Sequence, residues 1–212
     1  MSLRDISDVL TDRASHARLL LPEPLLTQLV VYYQVLSHWN KKINLTSLSD
    51  PDEAVDRLLL EPVAAAAELP HGEPLIDLGS GGGSPAIPLA LASNASRLVM
   101  VESRERKAAF LREVIRELGL TAAVETRRFE ELSGQPSFAR SFVVVSVRAV
   151  RLEHSMFSYI SAFLRPNGTV ALFRSVGAQD PPDGLPDELR WISTRQLIQA
   201  THSVLTRLQR ST

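Results

Sequence analysis

The chain has 212 residues, a formal net charge of −1, 44% hydrophobic and 22% charged residues, a composition ordinary for a soluble globular protein of one domain with an appendage, or one large domain. It has no cysteine, which excludes a disulfide framework, a catalytic thiol and cysteine-ligated zinc, and its neutral balance excludes a surface that grips nucleic acid on every side. No segment reaches the roughly 18 apolar residues that span a bilayer, and residues 1–13 lack the apolar run of a signal peptide, so a cytoplasmic protein is expected.

Up to a cluster of Pro70, Gly72 and Pro74 the pattern is helical. Leu25, Leu29, Tyr32, Tyr33 and Leu36 recur at three- and four-residue steps and make one apolar stripe. Pro22 and Pro24 stand at its start, where proline is tolerated. Asp50, Pro51 and Glu53 predict an N-cap with a capping box, and the helix that follows is expected to run to about Leu69. Residues 1–72 are therefore expected to form a helical subdomain, and 73–212 a second unit. There the pattern alternates, with strands over Leu75–Leu78, Arg97–Val101, Ala122–Thr126, Phe142–Val147 and Thr169–Phe173. Helices are expected between them at Pro85–Ala92, Arg104–Leu118 and Leu152–Leu164, with Gly119 as a C-terminal stop. Such alternation with near-continuous apolar strands predicts an α/β fold, a parallel sheet covered by helices. Arg190–Ile198 and Ser203–Leu208 read as an antiparallel hairpin closing the sheet edge.

The first strand runs into Asp77-Leu78-Gly79-Ser80-Gly81-Gly82-Gly83-Ser84-Pro85 and then a helix. Glycines let a backbone take positive φ and approach a ligand closely, and open parallel sheets bind ligands beyond the carboxyl ends of their strands. Three readings are open. A tight turn without ligand needs fewer than the four glycines within residues 79–83. A dinucleotide turn normally has its third glycine where Ser84 stands, and it needs a second mononucleotide-binding half. S-adenosylmethionine (AdoMet) suits best, because Asp77 beside the turn favours a sulfonium amino acid and would repel a pyrophosphate. Glu102, ending the second strand, occupies the position where an acid takes ribose hydroxyls; otherwise it is a surface glutamate beginning a helix.

Three stretches make the chain resemble the glucose-inhibited division protein B family, the 16S ribosomal RNA guanine-N7 methyltransferases G of bacteria. Trp39-Asn40-Lys41-Lys42-Ile43-Asn44-Leu45-Thr46 is similar to its W-N-K-x-x-N-L-T signature. Asp77 to Leu89 is similar to D-x-G-[ST]-G-x-G-x-P-G-I-P-L. Arg128-Phe129-Glu130-Glu131, then Arg148-Ala149, resemble R-x-E-E and S-R-A. The resemblance spans nearly the whole chain. It implies a Rossmann-like class I methyltransferase sheet with an N-terminal helical subdomain, acting as a monomer on 16S ribosomal RNA or the small-subunit particle, without metal or membrane. It puts AdoMet against Gly79, Ser84, Phe129, Glu130 and Arg148, with Phe129 and Glu130 facing the adenine; Asp77, Ser80, Gly81, Gly83 and Glu102 complete the expected cofactor set. Catalysis is expected to be alignment, with Arg148 the one candidate participant.

Departures accompany the likeness. Leu58-Leu59-Leu60-Glu61-Pro62 stands where the family usually has His-Ile-Leu-Asp-Ser. Arg174-Ser175 replaces a Lys-Gly pair, Val143 an aspartate, and Val147 the serine before Arg148. In the family these positions surround the mouth of the pocket, so a diverged member is expected: a methyltransferase of another substrate, or a non-catalytic AdoMet- or RNA-binding paralogue, are the alternatives. The RNA contacts are expected among Lys41, Lys42, Arg104, Arg106, Lys107, Arg127, Arg128, Arg148, Arg151 and Arg174. Asn44 is expected to cap the turn between helices. The histidines, lacking ligand spacing, are expected to be surface or core-edge groups.

Overall fold

A computed structural model describes residues 3–48, 50–150 and 154–212. Four helical segments come first: α1 (Leu3–His16), α2 (Glu23–Asn40), α3 (Pro51–Val55) and α4 (Glu61–Ala66). The rest alternates: β1 (Pro74–Leu78), α5 (Ala86–Ala92), β2 (Arg97–Val101), α6 (Glu105–Leu118), β3 (Ala122–Glu125), α7 (Phe129–Ser133), β4 (Phe142–Arg148), α8 (His154–Phe163), β5 (Leu164–Ser175), β6 (Leu189–Gln196) and β7 (Ser203–Arg210). The seven strands form one sheet in the order β3-β2-β1-β4-β5-β7-β6. Strands β1 to β5 are parallel, and β7 pairs antiparallel with β5 and β6.

Side-chain alternation assigns the two faces of the sheet. Leu75, Leu98, Met100, Val144, Ala171 and Phe173 pack under α1, α2, α4, α5 and α6. Their neighbours Ile76, Val99, Val145, Val170 and Leu172 pack under α7 and α8. The described residues ahead of Pro70 thus share one core with the first face, and the Pro70–Pro74 cluster is a turn across which apolar packing is continuous.

The N-cap at Asp50 forms: its Oδ1 accepts the Glu53 amide at 2.8 Å. The long helix expected beyond it is broken by a π-helical segment over Asp56–Leu60, in which the Glu61 amide donates to the Asp56 carbonyl five residues back. Pro62 explains the break. It has no N–H for the Leu58 carbonyl, and its ring would crowd that carbonyl in a regular helix. The expected helix at 152–164 spans His154–Phe163 in the structure; Leu152, like Arg151, lies outside the described residues. Strand β5 begins at Leu164, which pairs with Phe142, five residues ahead of its expected start at Thr169. The turn-forming Pro166-Asn167-Gly168 masks the extended backbone there.

Candidate functional site

Strand order reverses between β1 and β4, the switch point at which open α/β sheets bind ligands. Here, beyond the carboxyl ends of β1, β2 and β4, lies a cavity of about 400 Å³, within the range of small-molecule sites. Gly79, Ser80, Gly81, Gly82 and Ser84 form its floor, and Glu102 and Arg148 flank it. Gly79 has φ +78°, and a Cβ there would stand 2.8 Å from Val150 Cγ2, so only glycine fits.

Glu102 is buried and oriented by two backbone amides: Oε2 accepts from Gly81 N at 2.9 Å and Oε1 from Arg104 N at 2.8 Å. An ionised carboxylate has about four acceptor sites, so lone pairs remain for a ribose diol. The anchored acid, the bare turn and the cavity volume fit the nucleoside half of AdoMet.

Two expected ligands sit beneath the floor instead. Asp77 is 1% exposed and accepts the Ser146 hydroxyl at 2.5 Å; it does not line the cavity. Gly83 faces the core, where a Cβ would lie 2.6 Å from Ile87 and 3.3 Å from Leu111 and Tyr32. Its role is packing. Burial raises the Asp77 pKa to about 6, against the lowering effect of Ser146, Ser80 and Arg148. The unfolded chain releases this proton near pH 3.9, so the stability Asp77 contributes is complete below about pH 4 and lost as pH rises through about 6. Asp77→Asn is therefore expected to be more stable than wild type by about 1–3 kcal/mol at pH 8. The difference should vanish near pH 4, as urea unfolding at both pH values would measure.

Arg148 enters from the end of β4 and is gripped on three sides. It donates to the Arg57 carbonyl at 2.5 Å, to Ser84 Oγ at 3.3 Å and to Glu61 Oε2 at 2.7 Å. Its guanidinium lies 4.4 Å over the Phe173 ring. Burial lowers its pKa, and Glu61 opposes that. The π segment supplies the grip: the carbonyl that Pro62 leaves without a helical donor, Leu58 O, accepts Ser84 Oγ at 2.8 Å, and the neighbouring Arg57 carbonyl takes Arg148. Glu61 is fully buried and its Oε1 has no partner.

Phe129 and Glu130 do not line the cavity. Phe129 packs edge-on against Tyr159, centroids 6.0 Å apart, and Glu130 is exposed in the first turn of α7. The wall comes instead from the helical layer, through Leu36, Leu45, Thr46 and Leu58, and from Lys107 of α6. The loop carrying Leu45 and Thr46 is clasped by Asn40, whose Oδ1 accepts both amides at 2.8 and 3.0 Å and whose Nδ2 donates to the Thr46 carbonyl at 3.1 Å. Asn40 therefore performs the structural task expected of Asn44, which is exposed. The Tyr32 hydroxyl donates to the Gly82 carbonyl at 2.7 Å and ties helix α2 to the turn. The W-N-K motif that carried Asn40, Leu45 and Thr46 was the available signal for this wall.

Of the departing positions, Leu58 lines the cavity over the glycine turn. Val147 and Arg174 line an adjoining cavity of about 250 Å³. Pro62 is buried in α4, and Val143 lies at the amino end of β4, away from both. Among the basic candidates, Arg127 pairs with Glu125 at 3.4 Å, and Arg174 is bound to Asp180, Thr206 and the Gln179 carbonyl. Arg128 is exposed at the start of α7. Lys41, Lys42, Arg104 and Arg106 are exposed. Among the described residues these four and Lys107 form no ion pair.

Among the described residues no helix is long and apolar enough to cross a membrane. The architecture is shared with solved AdoMet-bound proteins: a mutant of MtNAS in complex with S-adenosylmethionine (TM-score 0.60, 18% identity, 87% of this chain and 72% of that one) and TYW2 from M. jannaschii in complex with AdoMet (0.56, 16%, 80% of each). At such identities the likeness shows the fold, that of class I AdoMet methyltransferases. Ribosomal RNA small subunit methyltransferase G of Prochlorococcus marinus (strain NATL2A) is 32% identical over 189 residues, 86% of this chain and 75% of its own. The protein of that name from Xylella fastidiosa (strain 9a5c) is 32% identical over 185 residues, 84% and 85%, and that from Sorangium cellulosum (strain So ce56) 34% over 179, 82% and 73%. The GidB family model, rRNA small subunit methyltransferase G, matches residues 25–201, and with the fold, the glycine turn and these relatives in agreement the chain belongs to that family.

Proposed function

We propose that the protein is an AdoMet-dependent methyltransferase that modifies N7 of a guanine in 16S ribosomal RNA, as a monomer in the cytoplasm. The observation that carries this is the cavity over the glycine turn, with Glu102 anchored at its side, in a chain of this family. When bound, AdoMet would supply an electrophilic methyl to the N7 lone pair, leaving the electron pair of the carbon–sulfur bond on sulfur and the positive charge on the base. No proton moves, so the chain needs no general base. Its residues have to align the reactants, which is where most of such a rate gain arises. In this reading Glu102 takes the ribose hydroxyls, the turn from Gly79 to Gly82 runs along the amino-acid half, and Ser84 and Arg148 stand at the reacting end. Residues 1–72 act as the wall that closes the site, and 73–212 as the catalytic sheet.

Transfer of labelled methyl to ribosomal RNA from a deletion strain, with the modified base mapped, tests the reading. One methylated guanine N7 in 16S RNA is expected, and an unlabelled RNA would overturn it. Val147 and Arg174, which depart from the family pattern beside the site, favour one alternative, a different acceptor, which label in another RNA alone would reveal.

Lys41 and Lys42, just past the end of α2, and Arg106 of α6 are exposed and form no ion pair among the described residues, and α2 and α6 touch through Trp39 and Phe110. We assign the three cations to RNA phosphates, contacts that give affinity without sequence information. Replacing all three with glutamate is expected to weaken rRNA binding by more than about tenfold near 0.15 M salt and to flatten its salt dependence by a slope of about 2–3. AdoMet affinity should not change. An unaltered salt slope in a filter-binding titration would remove these residues from the RNA face.

A further inference from the structure

The cofactor cavity and the adjoining one share Arg148 and Ala149 as a common wall. The second cavity opens at the carboxyl ends of β4 and β5; Val147, Val150, Leu172 and Phe173 give it apolar sides, and Arg57 and Ser175 stand at its rim. We propose that this second cavity is the subsite for the acceptor base, a single purine turned out of its strand, and that Arg148 selects guanine there. The proposal rests on the cofactor reading of the first cavity.

Four observations carry it. A nucleophile must come within about 3–3.5 Å of the methyl it accepts, so the acceptor has to occupy a space that adjoins the cofactor, and this one does. Its volume of about 250 Å³ is below that of pockets for drug-sized ligands, about 300–1,000 Å³, and suits one planar heterocycle. Extruded bases are held between apolar or aromatic side chains in close-fitting pockets; Val147, Val150, Leu172 and Phe173 supply such sides here, and Arg57, Arg148, Arg174, Ser175 and Ser203 make up the polar part of the lining. Finally, Glu61 at 2.7 Å balances the charge of Arg148, so a ring that becomes cationic on methylation does not face a bare guanidinium.

Arg148 also supplies a reason for base choice. It is fixed by the Arg57 carbonyl, Ser84 and Glu61 and backed by Phe173. A guanidinium only donates hydrogen bonds. Guanine presents the O6 acceptor beside N7, whereas adenine presents an amino donor there. With N7 turned to the cofactor cavity, guanine O6 meets a donor and adenine N6 meets a donor it opposes.

The test uses the full chain. Ser175 is exposed at the end of β5, so Ser175→Trp fills the second cavity from its rim. S-adenosylhomocysteine affinity, by calorimetry, is expected to stay within about twofold of wild type, while methyl transfer to rRNA falls at least about 100-fold, the scale of losing reactant alignment. Saturation-transfer NMR on the wild-type complex with S-adenosylhomocysteine is expected to detect guanosine monophosphate and to find adenosine monophosphate at least about fivefold weaker, a modest part of the discrimination one hydrogen-bond pattern gives. Wild-type transfer by Ser175→Trp, or joint loss of S-adenosylhomocysteine binding, would overturn the subsite. Equal binding of the two nucleotides would overturn the role of Arg148. Failure of the wild type itself to bind S-adenosylhomocysteine would overturn the cofactor reading first and this proposal with it.

Discussion

Glu61→Ala is expected to destabilise the protein by about 3–5 kcal/mol, the usual cost of leaving a buried partner charge unpaired. Glu61 is fully buried, and its loss strands the Arg148 guanidinium, 14% exposed, with only the Arg57 carbonyl and the Ser84 hydroxyl. The pair's net worth is smaller than that cost, because both charges lost their water and Glu61 Oε1 remains without a partner. The double variant Glu61→Leu/Arg148→Met is therefore expected to recover most of the lost stability, and a double-mutant cycle by urea denaturation measures the coupling. A Glu61→Ala variant within about 1 kcal/mol of wild type would mean that the pair is solvated, which contradicts its burial. Activity should not return with stability in the double variant, since Arg148 faces both cavities.

Gly79→Val should abolish measurable AdoMet binding, at least about a 100-fold loss, or near 3 kcal/mol. Three effects act together. The backbone φ of +78° is unfavourable for a β-branched residue. The added Cβ meets Val150 at 2.8 Å. The backbone that would have to shift to admit it is part of the cavity floor. Gly72→Ala is the control for backbone strain alone: Gly72 has φ +72° with nothing within 4 Å of a Cβ. It is expected to cost about 1 kcal/mol of stability and to leave AdoMet affinity as it was. Calorimetry on both variants separates a site effect from a folding effect. Undiminished affinity in Gly79→Val would put the cofactor elsewhere.

The parts of this molecule legible in its sequence are those governed by neighbours along the chain. The β2 strand is bounded by the same residues in pattern and structure, Arg97 and Val101, because its apolar run has polar residues on both sides. The Asp50 cap and the Gly119 stop, the latter at φ 61°, follow from local hydrogen bonding and backbone freedom. The glycine turn and Glu102 point to the same cavity from two strands, and both stand at it. Helix α1 was masked by its charged residues, although Ile6, Leu10 and Ala14 form a buried stripe at four-residue steps.

What stayed hidden depends on packing between distant segments. An acid before a glycine turn reads equally as a ligand or as a buried strand residue; Asp77 is the second because Ser146, its register partner on β4, lies beside it. Phe129 is aromatic and near the site in sequence terms, yet α7 belongs to the opposite face of the sheet. The Glu61–Arg148 pair joins residues 87 apart. Only the apolar company each keeps, Leu58–Leu60 and Val147 to Val150, hinted that two opposite charges had to meet inside.

A crystal structure grown with S-adenosylhomocysteine measures the central claim most directly. The ligand is expected along the Gly79–Gly82 turn, its ribose hydroxyls on Glu102 and its sulfur toward Arg148 and Ala149, at the wall between the two cavities. Ligand density on the opposite face of the sheet, or a ribose bound away from Glu102, would contradict it.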